Sequence, residues 1–355
     1  MMRRFEYLDI AKGIGILLVV WAHILLVGPS HRVIYAFHMP LFFLISGMLF
    51  RREKYQCFGI FLRKRAKRLL MPFVIYSVAT WIIWAVFRFV RHDSVVSYWD
   101  PLLQTVIAKG SGAYMVHNSA LWFIPCLFAT EILYFVLFRL NDIARLTVCA
   151  GCATLSFVLG YYFADAWWFL LPWNFDAALI GVLFYCIGNI FASKVPNSRL
   201  IEYSKDNIGK ILFLLVVSAG LLYWSAMQFG ECSMGSSSYQ CNGAVFIIRA
   251  LIGCVTCILL SVIISFLSSK SIVKAYLVRE GSNSLDIMSI HIPVKGIVIM
   301  GLSIVLHVGS DTISSSLLYS SISFIITMVI VDLMVWVIRY GKRLSSIKVH
   351  SNEKR

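Results

Sequence analysis

The chain is 355 residues long, 59% hydrophobic and only 14% charged, with 32 Lys plus Arg against 17 Asp plus Glu and a net charge of +15. Soluble domains average roughly 45–50% apolar and roughly 25% charged residues, so disorder, a collagen-like fibre and most soluble multidomain enzymes are excluded. On so apolar a chain the positive charge points to membrane topology rather than to nucleic acid, and no nucleic-acid partner is expected.

A helix needs about 20 apolar residues to cross the ~30 Å hydrocarbon core, and ten stretches qualify. In chain order they run from about Ile10–Gly28, Val33–Phe50, Leu69–Phe89, Leu121–Phe138, Ile143–Phe163, Trp167–Phe191, Ile208–Phe229, Ala244–Leu267, Leu285–His307 and Ser316–Ile338. The fold class expected is all-α: a polytopic membrane bundle of about ten helices. Asp9, Lys12 and His23 interrupt the first stretch and no small-residue cleavage site follows, so it reads as a retained span. With both termini in the cytoplasm, 25 Lys and Arg fall in inside segments and four outside, in accord with the positive-inside rule. Residues 1–340 read as one membrane domain and 341–355 as a basic, partly disordered cytoplasmic tail. The halves share no motif, which weakens an inverted-repeat reading.

Seven of the nine cysteines fall in spans or inside segments, where a small apolar side chain is the simplest role. Cys232 and Cys241 share one outside loop and are expected to pair if that face is oxidising. The two Cys-x-x-Cys pairs read as packing, so no metal site is expected.

Ionisable groups at membrane depth are costly and mark candidate sites. Lys12 and His23 are eleven residues apart, three turns, and so share one helix face about 16 Å apart, with Asp9 on the same stripe. One reading makes Asp9 and Lys12 an interfacial ion pair; the other makes the stripe a site in which a neutral His23 acts as general base. In FHMPLFFLISG, His38 falls at the outer rim near the level of His23, and Ser46 with Gly47 forms a small-residue patch for close helix approach or passage of a ligand chain. Between the second and third spans, RKRAKRLLMP places Arg65 and Arg68 at i, i+3 on the cytoplasmic side. Two guanidinium forks there suit a phosphate or diphosphate, or anchor the helix to anionic lipid. Trp122 looks like part of an outer aromatic belt, Glu131 is buried two turns on, and His291 is expected in the inner half of the ninth span. A structural role is the simpler one for Glu131, Asp176 and Arg249.

These features converge on a known family. The LD-x-x-KG start at Leu8–Gly13, the Lys-x10-His pattern of Lys12 and His23, HMPLFFLISG at His38–Gly47, Arg-x-x-Arg at Arg65 and Arg68, the tryptophan of LWFI at Trp122 and SLDIMSIHIPV around His291 resemble the membrane acyltransferase 3 family. The likeness is to its bacterial polysaccharide, O-antigen and fucose 4-O-acetylase-like members. It implies a multi-pass enzyme of the bacterial cytoplasmic (inner) membrane, with acetyl-CoA as a co-substrate rather than a permanently bound cofactor. The acceptor implied is a hydroxyl of a cell-surface glycan, polymerised or lipid-linked. It also implies His23 as the catalytic histidine with Lys12 and Asp9 on its stripe, and Arg65 and Arg68 on the CoA phosphates. His38, Ser46, Gly47, Trp122, Glu131 and His291 are then acceptor-site or channel-lining residues. The competing reading from another class is a proton-coupled transporter or flippase, and a third is a catalytically silent scaffold. Oligomeric state is not legible in the sequence.

Overall fold

The computed structural model describes residues 5–92, 97–110, 115–163, 171–236, 238–239 and 241–352, with side chains outside the description at 163, 238–239 and 342–352. Among these residues ten helices are long and apolar enough to cross a membrane. We label their principal segments α1 (Glu6–Ile24), α2 (His38–Leu49), α3 (Phe58–Val90), α4 (Phe123–Leu137), α5 (Asp142–Phe163), α6 (Phe175–Lys194), α7 (Ile208–Gln228), α8 (Gly243–Ser265), α9 (Ile272–Leu306) and α10 (Leu317–Asn352). Helix is the form that lets an apolar segment satisfy its own backbone away from water. The all-α membrane bundle expected from hydropathy is therefore the observed architecture. The expected start of the sixth span at Trp167 lies outside the described residues.

Two helices begin well before the apolar run that announced them. α3 starts at Phe58 and carries the basic cluster on its first turns, and α9 starts at Ile272, thirteen residues before Leu285. Ser271 caps α9 by accepting from the Lys274 amide. The last helix likewise continues past Tyr340 to Asn352.

α1, α2, α4 and α6 are mostly buried, whereas α3, α5 and α7 present most of their surface outward. Phe213 and Val216 of α7, for example, are 68% and 70% exposed, as suits side chains turned to lipid. α1 is central: it packs most extensively on α9 and also touches α2, α8 and α10. Its crossing with α9 is made by two glycines. A Cβ on Gly281 would run into the Asp9 carbonyl, and one on Gly13 into the Leu277 carbonyl, so the two backbones touch directly. Gly47 does the same for α2 against the Tyr185 carbonyl of α6, and Asn189 of α6 seals that contact by donating to the Gly47 and Phe50 carbonyls at 3.1 and 3.2 Å.

On the outer side, two short antiparallel strands, Cys232–Ser233 and Ser238–Tyr239, form a hairpin. Cys232 and Cys241 are joined with their Cα atoms 6.7 Å apart. Arg249 of α8 holds the approach to this hairpin through the Gly230 carbonyl at 3.2 Å, a structural role as expected. An impermeant alkylating reagent is expected to label neither Cys232 nor Cys241 in intact cells until a reductant is added; labelling without reductant would contradict the pairing.

Candidate active site

At the basic end a cavity of about 400 Å³ opens among α1, α2, α3, α4, α9 and α10. Lys12, Arg51, Lys54, Arg65, Arg68 and Arg339 line it, against two acids, Glu131 and Asp286, among the described residues. Several of these cations are already held. Lys12 pairs with Asp9 at 2.6 Å, Arg65 with Glu131 at 2.7 Å, and Arg339 approaches Asp286 at 3.6 Å. Arg51 donates to the Met48 and Phe50 carbonyls at 3.0 and 2.9 Å and so closes the end of α2. Arg68 is exposed and makes no ion pair with a described residue. Lys54 reports the surplus charge: desolvation first, then the guanidiniums of Arg51, Arg65 and Arg68, lower its pKa below the ordinary lysine value. An anion entering here relieves that repulsion.

A second cavity, of about 180 Å³, lies at the opposite end of the α1 stripe. Its wall includes His23 from the last turn of α1, His38 from the first turn of α2, Trp122, and Met288 with Lys295 from α9. Ser233, Met234 and Gly235 of the outer hairpin also line it. His23 is partly exposed, and its ring makes no hydrogen bond to a described residue. His291 packs edge-on against it, with ring centroids 5.1 Å apart.

The neighbouring histidines have defined tautomers. His38 Nδ1 is 2.8 Å from the Ile34 carbonyl, and His291 Nδ1 is 2.9 Å from the Met288 carbonyl. A carbonyl only accepts, so Nδ1 carries the hydrogen in both rings and Nε2 is left as an acceptor. Lys295 donates from Nζ to the His23 carbonyl at 2.5 Å. That bond satisfies a carbonyl orphaned at the end of α1 and fixes a cation beside the imidazole.

A basic cavity and a histidine cavity on the two ends of one membrane helix agree with the sequence comparison that decides the family. The family model described as an acyltransferase domain matches residues 5–336, nearly the whole chain. The chain belongs to this acyltransferase-domain family. Nodulation protein NolL of Mesorhizobium japonicum is 29% identical to it over 258 residues, 67% of this chain. The match spans 59% of that relative's own length. No solved structure matches.

In this acyltransferase-family chain the residues anticipated from sequence sort into two places, except Gly47 and His291, which line neither cavity. Asp9, Lys12, Ser46, Arg65, Arg68 and Glu131 belong to the basic end, where all but Asp9 line the inner cavity. His23, His38 and Trp122 line the outer one. The structure therefore does not bring Lys12 to His23, although they share a helix face. Gly47 is buried in the α2–α6 contact and lines neither cavity, so the small-residue patch divides: Ser46 faces the cavity and Gly47 serves packing. Trp122 is not a belt residue facing lipid but is 7% exposed, with Gly110 and Gly235 packed on its indole.

His291 stands at the level of His23 rather than in the inner half of its span, because α9 begins thirteen residues before its apolar run and crosses α1 at Gly281. Asp176 pairs with Lys109 at 3.4 Å, a buried structural bridge. Lys295, Lys54, Arg51 and Met288 carried no site assignment in sequence. Lys295 had a signal, a lysine one turn beyond His291 within an apolar span, while Met288 had none.

Proposed function

We propose that this chain is a membrane-embedded O-acyltransferase that takes acetyl from cytoplasmic acetyl-CoA and gives it to a hydroxyl of a cell-surface glycan, in a bacterial cytoplasmic membrane. The observation that carries this reading is the pair of cavities on one α1 face. Lys12 and Ile16 line the basic cavity, Val19 and His23 the outer one, and these four residues follow each other at helical spacing.

In this reading the donor's phosphates rest against Arg68, Lys54 and their neighbours, where positive charge is in surplus. The pantetheine arm runs along the α1 stripe and presents the thioester to the outer cavity. His23, neutral, accepts the proton of the acceptor hydroxyl as its oxygen attacks the thioester carbonyl. The Lys295 ammonium faces the oxyanion of the tetrahedral intermediate. Collapse breaks the carbon–sulfur bond, and the departing thiolate takes the proton from the His23 imidazolium, returning it to the neutral form. His38, with Nε2 free to accept, holds a second hydroxyl of the sugar.

The test is separable by cavity. Arg68→Ala is expected to raise the KM for acetyl-CoA about tenfold, as removal of one charge-assisted contact does, while kcat changes less than about twofold. An unchanged KM with a lowered kcat would contradict donor binding at the basic end.

A further inference from the structure

The two cavities are separate, and the layer between them is thin. Ile16, the uppermost α1 residue on the inner wall, and Val19, the lowest on the outer wall, are three residues apart, a rise of about 4.5 Å. The same step recurs on the other elements: Phe42 and Phe123 face the inner cavity, while Met39 and Trp122 face the outer one. Phe42 and Phe123 brace each other with ring centroids 5.9 Å apart, and Phe123 is further held by Phe43 at 5.1 Å. One side chain belongs to both sides: among the described residues, Met288 alone lines both cavities.

The geometry points to Met288 as the side chain that separates donor from acceptor and sets the length of acyl group that reaches His23. This rests on the acyltransferase reading and adds to it a determinant of donor selectivity. The Met288 backbone is pinned, since its carbonyl accepts from His291 Nδ1 at 2.9 Å in the middle of α9. Its thioether chain is unbranched and turns about three bonds, so it can swing aside without moving the aromatic rings around it. The side chain is 6% exposed and packed in the apolar layer, so the gap left by its rotation is a methionine's width and no more. A thioester bearing a methyl group passes such a gap. The pantetheine arm follows through the same gap with every donor, so the difference lies beyond it: a methyl group clears the displaced thioether, whereas a longer acyl chain crowds it in the outer cavity of about 180 Å³.

The experiment compares kcat/KM for acetyl-, butyryl- and hexanoyl-CoA with the purified full chain in lipid, wild type against Met288→Ala and Met288→Phe. Met288→Ala is expected to raise the hexanoyl-to-acetyl ratio about tenfold, the usual scale for enlarging an apolar slot. Met288→Phe is expected to lower the butyryl-to-acetyl ratio while leaving unchanged the inhibition constant of a nucleotide fragment of CoA that lacks the pantetheine arm, because that part of the donor stays at the basic end, below the partition. If Met288→Ala is not recovered folded, Met288→Val, which shortens the chain with less loss of volume, is expected to shift the ratio the same way by a smaller factor. A residue that merely packs would lower all three donors together, and unchanged ratios with active variants would overturn the assignment. No acetyl transfer from acetyl-CoA by the wild type would instead overturn the acyltransferase reading on which it rests.

Discussion

Replacing His23 by alanine is expected to lower acyl transfer about 10³-fold, within the range supplied by a positioned general base, while the protein remains folded and still takes up the acyl donor. The retained fold and the retained donor uptake follow from the site. The imidazole makes no hydrogen bond to a described residue, so its loss breaks none and gives up only the edge-on packing against His291. The bond that fixes the end of α1 runs from Lys295 to the His23 carbonyl, which alanine keeps. Donor contacts lie at the other end of the stripe, so the KM for acetyl-CoA is expected to stay within about twofold. Steady-state kinetics on purified wild type and His23→Ala, with unfolding temperature measured on the same preparations, check all three parts. Turnover near that of the wild type would remove His23 from the chemistry.

The second large effect is on stability. Gly281→Ala is expected to cost about 3 kcal/mol, the upper end of overpacking, because the added Cβ meets the Asp9 carbonyl and the Gly13 amide rather than a yielding side chain. Gly296→Ala, on the same helix, is the control. Nothing lies within 4 Å of a Cβ there, and alanine is the better helix former by about 1 kcal/mol. Thermal unfolding in lipid bicelles should drop by several degrees for the first substitution and stay level or rise for the second. Equal behaviour of the two would mean that α1 and α9 do not cross through their glycines. Since that crossing sets the height of His291 and Lys295 against His23, a partial loss of activity is expected to accompany Gly281→Ala at temperatures where it is still folded.

The fold was readable in the sequence because the bilayer imposes one rule on every span, a run of apolar residues long enough to cross, and all ten runs have helices in the structure. The ends were less readable for a physical reason. The first fifteen residues of α9 include Arg279, Glu280 and Asp286, and they are accommodated by partners that hydropathy does not see: Arg279 pairs with Asp332 at 2.6 Å and Asp286 accepts from Tyr76 at 2.7 Å. A polar helix turn sheltered by other helices needs no apolar run. The error in the depth of His291 has the same origin.

The α1 stripe was legible because helical periodicity alone puts Lys12 and His23 on one face. Its division into two cavities was not, since that depends on Phe42, Phe123 and Met288 arriving from other helices at the height between Ile16 and Val19. Likewise the i, i+3 spacing of Arg65 and Arg68 gave no sign that Glu131, on α4, takes one of the two guanidiniums at 2.7 Å and leaves Arg68 the more available. Pairing between elements is a tertiary fact, and the spacing within one element does not contain it.

In the proposed reaction an acyl group crosses from the basic cavity to the His23 cavity inside the protein. That reaction is tested most directly in sealed vesicles of one orientation, with radiolabelled acetyl-CoA supplied on one face and a membrane-impermeant glycan acceptor enclosed on the other. Labelled glycan is expected only when the donor is on the face of Arg68 and the acceptor on the face of His23, and none with His23→Ala. Label that forms only when donor and acceptor share a face, or that forms undiminished with His23→Ala, would contradict it.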